Sequence, residues 1–409
     1  MDSTKPGLNI DRLRSHFPSI AGGAAHFDGP GGTQTPDAVA DVIRSTLCSP
    51  LANRGTRTAA ERNADSVVRA AREAVADLLG ADVRGVIFGR SMTALTFELA
   101  RTMAKNWGET DEVVVTRLDH DANIRPWVIA AERAGATLKW ADFDPAAGDL
   151  LADTFVPLLS ERTRIVAVTG ASNLIGTRPD LAAIAGLVHD AGGWFYVDGV
   201  HLTPHAPVDV AAIGADFYAC SPYKFLGPHC GVVAGRPDLL ADLHPDKLLP
   251  STEDIPERFE LGTLPYELLA GTTAAVDFLA EVLPVPGTRR EQLLRSIAVI
   301  EKYEDSLRAS IEAGLAEFPG VTVYSRAAQR TPTLLVDFAG HDSHQISRFL
   351  GDRGVNAPAG SFYAYEASKL LGLGEAGALR IGVAPYNNDE DVSRLFDGLR
   401  AYFAGAPSA

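Results

Sequence analysis

Two side chains in this sequence invite chemistry by their setting. Lys224 sits in Ser221-Pro222-Tyr223-Lys224-Phe225-Leu226-Gly227-Pro228-His229, a turn punctuated by proline and glycine between the apolar runs 215–220 and 231–235. Asp198 closes another apolar run, in Tyr196-Val197-Asp198-Gly199-Val200-His201, and precedes the lysine by 26 positions. A lone lysine in a turn is ordinarily a solvated surface group, and a lone aspartate after a strand is often a helix cap. An amine and a carboxylate at strand ends of one sheet have a second reading. The amine attacks an aldehyde, and the acid pairs with a pyridinium nitrogen. That pairing suits pyridoxal 5'-phosphate.

Other segments have two readings each. His26-Phe27-Asp28-Gly29-Pro30-Gly31-Gly32-Thr33-Gln34 is either a plain turn or a place where backbone approaches a ligand closely; it lacks the Gly-Lys-Ser/Thr ending of a P-loop. Arg90-Ser91-Met92-Thr93 reads as an ordinary serine cap or as a phosphate site at a helix N-terminus. Leu118-Asp119-His120-Asp121-Ala122-Asn123 is a polar helix start, or it offers an imidazole to stack on a flat ring and move protons. Ser172-Asn173-Leu174-Ile175-Gly176-Thr177 is a turn, or its Asn173 amide donates to a phenolic oxygen. Arg380, in an apolar strand ahead of Pro385-Tyr386-Asn387-Asn388, is a structural ion-pair partner or a bidentate carboxylate receptor.

These residues need a scaffold, and the pattern supplies one. Strands are predicted at 86–88, 112–115, 137–140, 164–168 and 194–197, with two more flanking Lys224. Helices are predicted at 59–79, 92–103, 122–134, 151–159 and 181–190. Alternation at this spacing implies an α/β fold with a mainly parallel sheet covered on both faces. Ligands then lie outside the carboxyl ends of the strands, where most of the candidates fall. After about Leu264 the pattern changes. A helical region runs from Tyr266 to Phe318 with a break near 284–287. Strands at 321–324, 333–337 and 379–383 alternate with helices at 344–351 and 389–403. This predicts a large domain over 25–265 and a smaller α+β domain made of 1–24 and 266–409, with a frayed tail over 405–409.

The 409 residues suffice for two domains and a large core, and the 46% hydrophobic and 22% charged fractions are those of a soluble protein. A net charge of −15 argues against a nucleic-acid partner. No stretch reaches the roughly 18 apolar residues of a membrane span. The N-terminal residues have no secretory pattern. Cys48, Cys220 and Cys230 lack metal-site spacing, so no metal is expected and a reducing cytoplasm fits.

The ordered motifs resemble the fold-type I pyridoxal-phosphate enzymes of the class V aminotransferase group, and most closely cysteine desulfurases of the SufS type. The resemblance runs from about His26 to about Phe403 and rests on six segments. They are Asp119–Trp127, Ser172–Thr177, Val197–His201 with Pro204-His205, Ser221–Pro228, Phe259-Glu260-Leu261-Gly262-Thr263, and Arg380 with Tyr386-Asn387. The resemblance implies a seven-stranded sheet and a homodimer. It implies that Lys224 attaches the cofactor and moves a proton, and that Asp198 keeps the ring nitrogen protonated. His120 would stack on the ring, and Asn173 and His201 would face its phenolic oxygen. Met92 through its backbone, Thr93, Ser221, Tyr223 and the partner subunit's Thr263 would hold the phosphate. Arg380 would take the substrate carboxylate, with His26, Asn53 and Tyr363 beside the substrate.

The departures redirect the function. Where the resemblance expects the persulfide cysteine, the loop Gly360-Ser361-Phe362-Tyr363-Ala364 carries Tyr363. Pro358 stands about where a second substrate arginine is usual, Asn53 replaces a usual histidine, and His201 a usual glutamine. A phenol cannot form a persulfide. The expected activity is therefore β-elimination on a cysteine S-conjugate, a C–S lyase, and not true cysteine desulfurization. Transamination, decarboxylation with oxidative deamination, and a cofactor-binding regulatory role are the alternatives.

Overall fold

The computed structural model describes residues 7–405. The tail 406–409 lies outside the described residues. Thirteen strands form three sheets among these residues. In chain order they are β1 (Ala25–His26), β2 (Val86–Gly89), β3 (Glu112–Thr116), β4 (Thr137–Ala141), β5 (Thr163–Thr169), β6 (Trp194–Asp198), β7 (Phe217–Cys220), β8 (Gly231–Gly235), β9 (Val321–Val323), β10 (Thr333–Phe338), β11 (Val355–Asn356), β12 (Ala359–Gly360) and β13 (Ala378–Gly382).

The large sheet has the order β2-β8-β7-β6-β5-β3-β4. Strands β4, β3, β5, β6 and β7 pair in parallel, and β8 runs antiparallel to both of its neighbours. The run Ile165-Val166-Ala167-Val168 is apolar without interruption because both faces are covered. Ile165 and Ala167 join one cluster with Trp127 and Leu99, whereas Val166 and Val168 join the other with Leu78 and Ile184. Helix Ala59–Leu79 begins with a reciprocal Thr58–Glu61 capping box and ends at Gly80 in the left-handed region (φ 65°). Helix Tyr266–Glu281 packs on this helix and on Asp37–Leu47.

The smaller sheet, β12-β13-β10-β9, is antiparallel throughout. Alternation decides which way its side chains face. Leu334, Val336, Leu379 and Ile381 enter the core formed with helices Arg289–Leu315, Ser343–Gly351 and Asp389–Phe403. Leu335 and its cross-strand partner Arg380 therefore lie on the opposite face, toward the large sheet.

The N-terminal arm joins these parts. Strand β1 pairs with β11, Phe27 N–H donates to Asn356 O (2.9 Å), and Gly382 N–H donates to Phe27 O (2.8 Å).

Two expected elements differ. The stretch 151–159 forms two 3-10 turns, Ala152–Thr154 and Val156–Leu158, with Pro157 inside the second. The missing N–H of Pro157 denies a continuing helix one of its hydrogen bonds. The helix expected from Ala122 starts at Arg125, after a 3-10 turn over Asp121–Asn123, with Pro126 in its first turn.

Candidate active site

Five strand ends converge on one place. Ser91 and Met92 follow β2, His120 follows β3, Asn173 follows β5, Asp198 ends β6, and Ser221 to Lys224 follow β7. A cleft of about 550 Å³ opens there, lined by Thr93, His120, Asn173, Tyr223, Lys224, Tyr363 and Arg380 among others. Its inner end adds Met92, Asp198, His201 and Ser221.

Lys224 is 6% exposed and makes no hydrogen bond or ion pair among the described residues. Burial, then the Arg380 charge, lowers its pKa from the ordinary lysine value, while Asp198 raises it. Its segment is clamped from the glycine-rich loop. Thr33 N–H donates to Tyr223 O (2.9 Å), and Leu226 N–H donates to Thr33 Oγ1 (2.9 Å). Leu226 is held at φ 70°, a strained setting for leucine two residues from the amine.

Asp198 is 4% exposed, and its Oδ1 accepts from Val200 N–H at 3.0 Å. Burial raises its pKa against the pull of that N–H and of Lys224. The His120 ring is held by its own helix turn, where Ala122 N–H donates to Nδ1 (3.0 Å). Burial, with Lys224 and Arg380 nearby, lowers its pKa to about 3, so the ring is neutral at ordinary pH. Behind it, Asp119 accepts from Thr116 and from Asn123 Nδ2 (2.7 Å). Burial pushes Asp119 up to about 8, and Asp198 adds to the rise.

The opposite wall comes from the small sheet and the loop after β12. Arg380 is 2% exposed, and its Nη1 donates to Asn173 O at 3.0 Å. Phe362 and Tyr363 both lie in the left-handed region, at φ 52° and 59°. Asn173 Nδ2 donates to Phe362 O (2.9 Å), and Asp121 N–H donates to Tyr363 O (2.7 Å). The Tyr363 ring lies 5.4 Å from the His120 ring and is 75% exposed.

The residues present fit pyridoxal phosphate. His201 Nδ1 is buried without a hydrogen-bond partner, which a phenolic oxygen would relieve; Asn173 beside it has its acceptor Oδ1 unpartnered, open to a phenolic O–H, while its Nδ2 donates to Phe362 O. The 12-residue helix Met92–Met103 points its N-terminus at the inner end, beside Ser221. Gly231 permits that cup to form, since a Cβ there would sit 2.2 Å from Met92 N.

Three expected residues lie elsewhere. His26 is engaged with Asn356 Nδ2 (3.1 Å) and Gln34 Nε2 (3.4 Å), away from the cleft lining. Asn53 and Thr263 are exposed and line no part of the cleft of their own chain. Glu260 anchors the Thr263 loop by accepting two 2.8 Å hydrogen bonds from the buried Arg72 guanidinium. Conversely, Phe97, Asp121, Arg125 and Phe362 line the cleft although their residue types did not single them out. Arg125 had one signal, its place just before the helix-starting Pro126, and there it pairs with Asp121 (3.0 Å).

A mainly parallel sheet with a lysine, an acid and a histidine at its strand ends fits what the comparisons show, a pyridoxal-phosphate enzyme of fold type I. The chain belongs to the class V aminotransferase family, whose "Aminotransferase class-V" pattern matches residues 25–395. It is 33% identical over 397 residues to the uncharacterized protein MT3887 of Mycobacterium tuberculosis (strain CDC 1551 / Oshkosh), covering 96% of this chain and 98% of that one. It is 30% identical to a cysteine desulfurase of Klebsiella pneumoniae (strain 342), with 96% and 98% covered. Among solved structures, the cysteine desulfurase CsdA of Escherichia coli superposes with a TM-score of 0.86 at 27% identity, covering 98% of this chain and 99% of that one.

Proposed function

We propose that this protein eliminates the β-substituent of a cysteine S-conjugate, releasing a thiol, pyruvate and ammonia with uptake of one water. One observation carries this reading: Tyr363 occupies the loop position where a sulfur-accepting cysteine is expected, over the His120 ring, and no cysteine lines the cleft among the described residues. Cys220 and Cys230 are buried elsewhere, and burial raises both thiols.

Bound in the cleft, pyridoxal phosphate withdraws electrons from the substrate's α-carbon. The chain's own groups do the rest. Lys224 would hold the cofactor covalently until the substrate's amine displaces it, and its lowered pKa would then favour a free amine that takes the α-proton. Asp198 keeps the ring nitrogen protonated, and neutral His120 covers the ring face. Asn173 and His201 face the phenolic oxygen, while Met92 N–H, Thr93 and Ser221 hold the phosphate. Arg380 takes the α-carboxylate. The exposed Tyr363 phenol hands a proton to the departing sulfur.

Incubating purified enzyme with S-benzyl-L-cysteine tests this, and appearance of neither thiol nor pyruvate would sink it. Transamination is the second reading, favoured by the family pattern itself. It is distinguished by conversion of L-alanine to pyruvate with the amino group retained on the protein. We further propose a homodimer. Leu47, Leu248, Leu249 and Leu261 are exposed on or near the segments that carry Asn53 and Thr263. Light scattering should give about twice the chain's 43.4 kDa.

A further inference from the structure

Arg380 is a buried cation without an ion-pair partner. No carboxylate forms a salt bridge to it among the described residues, and its Nε has no hydrogen-bond partner. Its Nη1 is committed to Asn173 O. Burial lowers its pKa from the ordinary arginine value, with only Asp28 opposing, as expected for a cation that awaits an anion. Its backbone neighbour in the sheet is Pro358, whose carbonyl accepts Arg380 N–H at 2.8 Å and whose side chain brings no donor.

One contact covers the guanidinium. The Arg380 guanidinium carbon lies 3.6 Å from the centre of the Phe362 ring. At that distance the ring covers one guanidinium face and leaves the Nε–Nη2 edge without a hydrogen-bond partner among the described residues. Three residues thus close a loop: Arg380 donates to Asn173 O, Asn173 donates to Phe362 O, and Phe362 covers Arg380. Its price is a left-handed backbone at Phe362 and Tyr363, a conformation that non-glycine residues adopt only when their surroundings enforce it.

We propose that Phe362 is the positioning residue of a single-arginine carboxylate clamp, holding the Nε–Nη2 edge of Arg380 in plane for the α-carboxylate of the substrate. The clamp selects free amino acids over amines that lack a carboxylate. This rests on the cleft being the substrate site, as read above.

The test uses propionate, which has the carboxylate and no amine, titrated calorimetrically into purified wild type, F362A, F362L and F362W. Propionate affinity should fall about tenfold in F362A and F362L and stay within about twofold in F362W, because a desolvated cation–π contact has that order of strength. In the cofactor-loaded protein, monitored by cofactor absorbance, F362A should weaken L-alanine by the same factor and leave ethylamine unchanged. Should F362A fail to fold, F362L carries the test, since it keeps the bulk and removes the π face. Unchanged propionate affinity in F362L, or equal weakening of L-alanine and ethylamine, overturns the proposal. Failure of the wild type to take up pyridoxal phosphate would overturn the functional reading instead, and the propionate titration would still decide the clamp.

Discussion

The floor and the roof of the cleft are built by different means. The floor is made of strand ends of the large sheet. Asp198, Lys224 and Asn173 are buried there, and each lies at or just after a strand whose neighbours fix its height and direction. The roof is one arginine of the small sheet and a loop of two left-handed aromatic residues, tied down by single hydrogen bonds from Asn173 and Asp121. Groups that must meet one invariant cofactor are placed by the sheet. Of the groups proposed to meet a variable substrate, Arg380 sits in β13 and Tyr363 hangs from a loop, where exchanging one side chain alters selectivity and leaves the scaffold intact.

Substitutions on the two sides should therefore fail differently. The largest effect is expected at Lys224→Ala, which should abolish the covalent cofactor adduct in mass spectra after borohydride reduction and cut turnover on the order of a thousandfold. Asp198→Asn should slow turnover about a hundredfold. It also carries a signed pH test. The carboxylate raises the Lys224 pKa, so removing it lowers that pKa further. The pH midpoint for attaching cofactor to the apoprotein should move down in the variant, and an upward move contradicts the assignment. On the roof, Tyr363→Phe should reduce thiol release about tenfold and leave L-alanine binding unchanged. Equal loss of both would mean that the phenol only shapes the cleft.

The smallest effect expected is one of stability. Asp119 has a folded-state pKa of about 8, far above its unfolded value, so its unfavourable contribution grows as pH rises between the two. Asp119→Asn should therefore raise Tm more at pH 8 than at pH 5, measured by calorimetry. A uniform gain, or none, would show that the carboxylate is not held against burial.

The floor was legible because its signals are local. An apolar run, then a polar residue, then a turn former marks a strand end wherever it occurs, and Asp198, Lys224, His120 and Asn173 all follow that pattern. The seven strands of the large sheet were legible for the same reason. The stretch 151–159 reads as a helix by its apolar spacing, but Pro157 denies it a hydrogen bond and it forms two 3-10 turns instead. Phe362 was not legible. Its stacking on Arg380 depends on a backbone conformation that phenylalanine does not advertise and on a partner 18 positions away in sequence. The family resemblance expects His26 beside the substrate, whereas its hydrogen bonds run to Asn356 and Gln34.

The N-terminal arm carries a consequence for assembly. Phe27 bonds to Asn356 and Gly382, and Thr33 grips the loop of Lys224. Phe27 must wait for partners that lie more than 300 positions further along the chain. The arm that clamps the lysine loop is thus itself fixed only after residue 382 has joined it, and contacts of such long sequence separation form slowly. A nascent chain stalled before residue 382 would hold its reactive amine in a more loosely tethered turn, so the amine reaches its working geometry only once the small sheet has joined the arm.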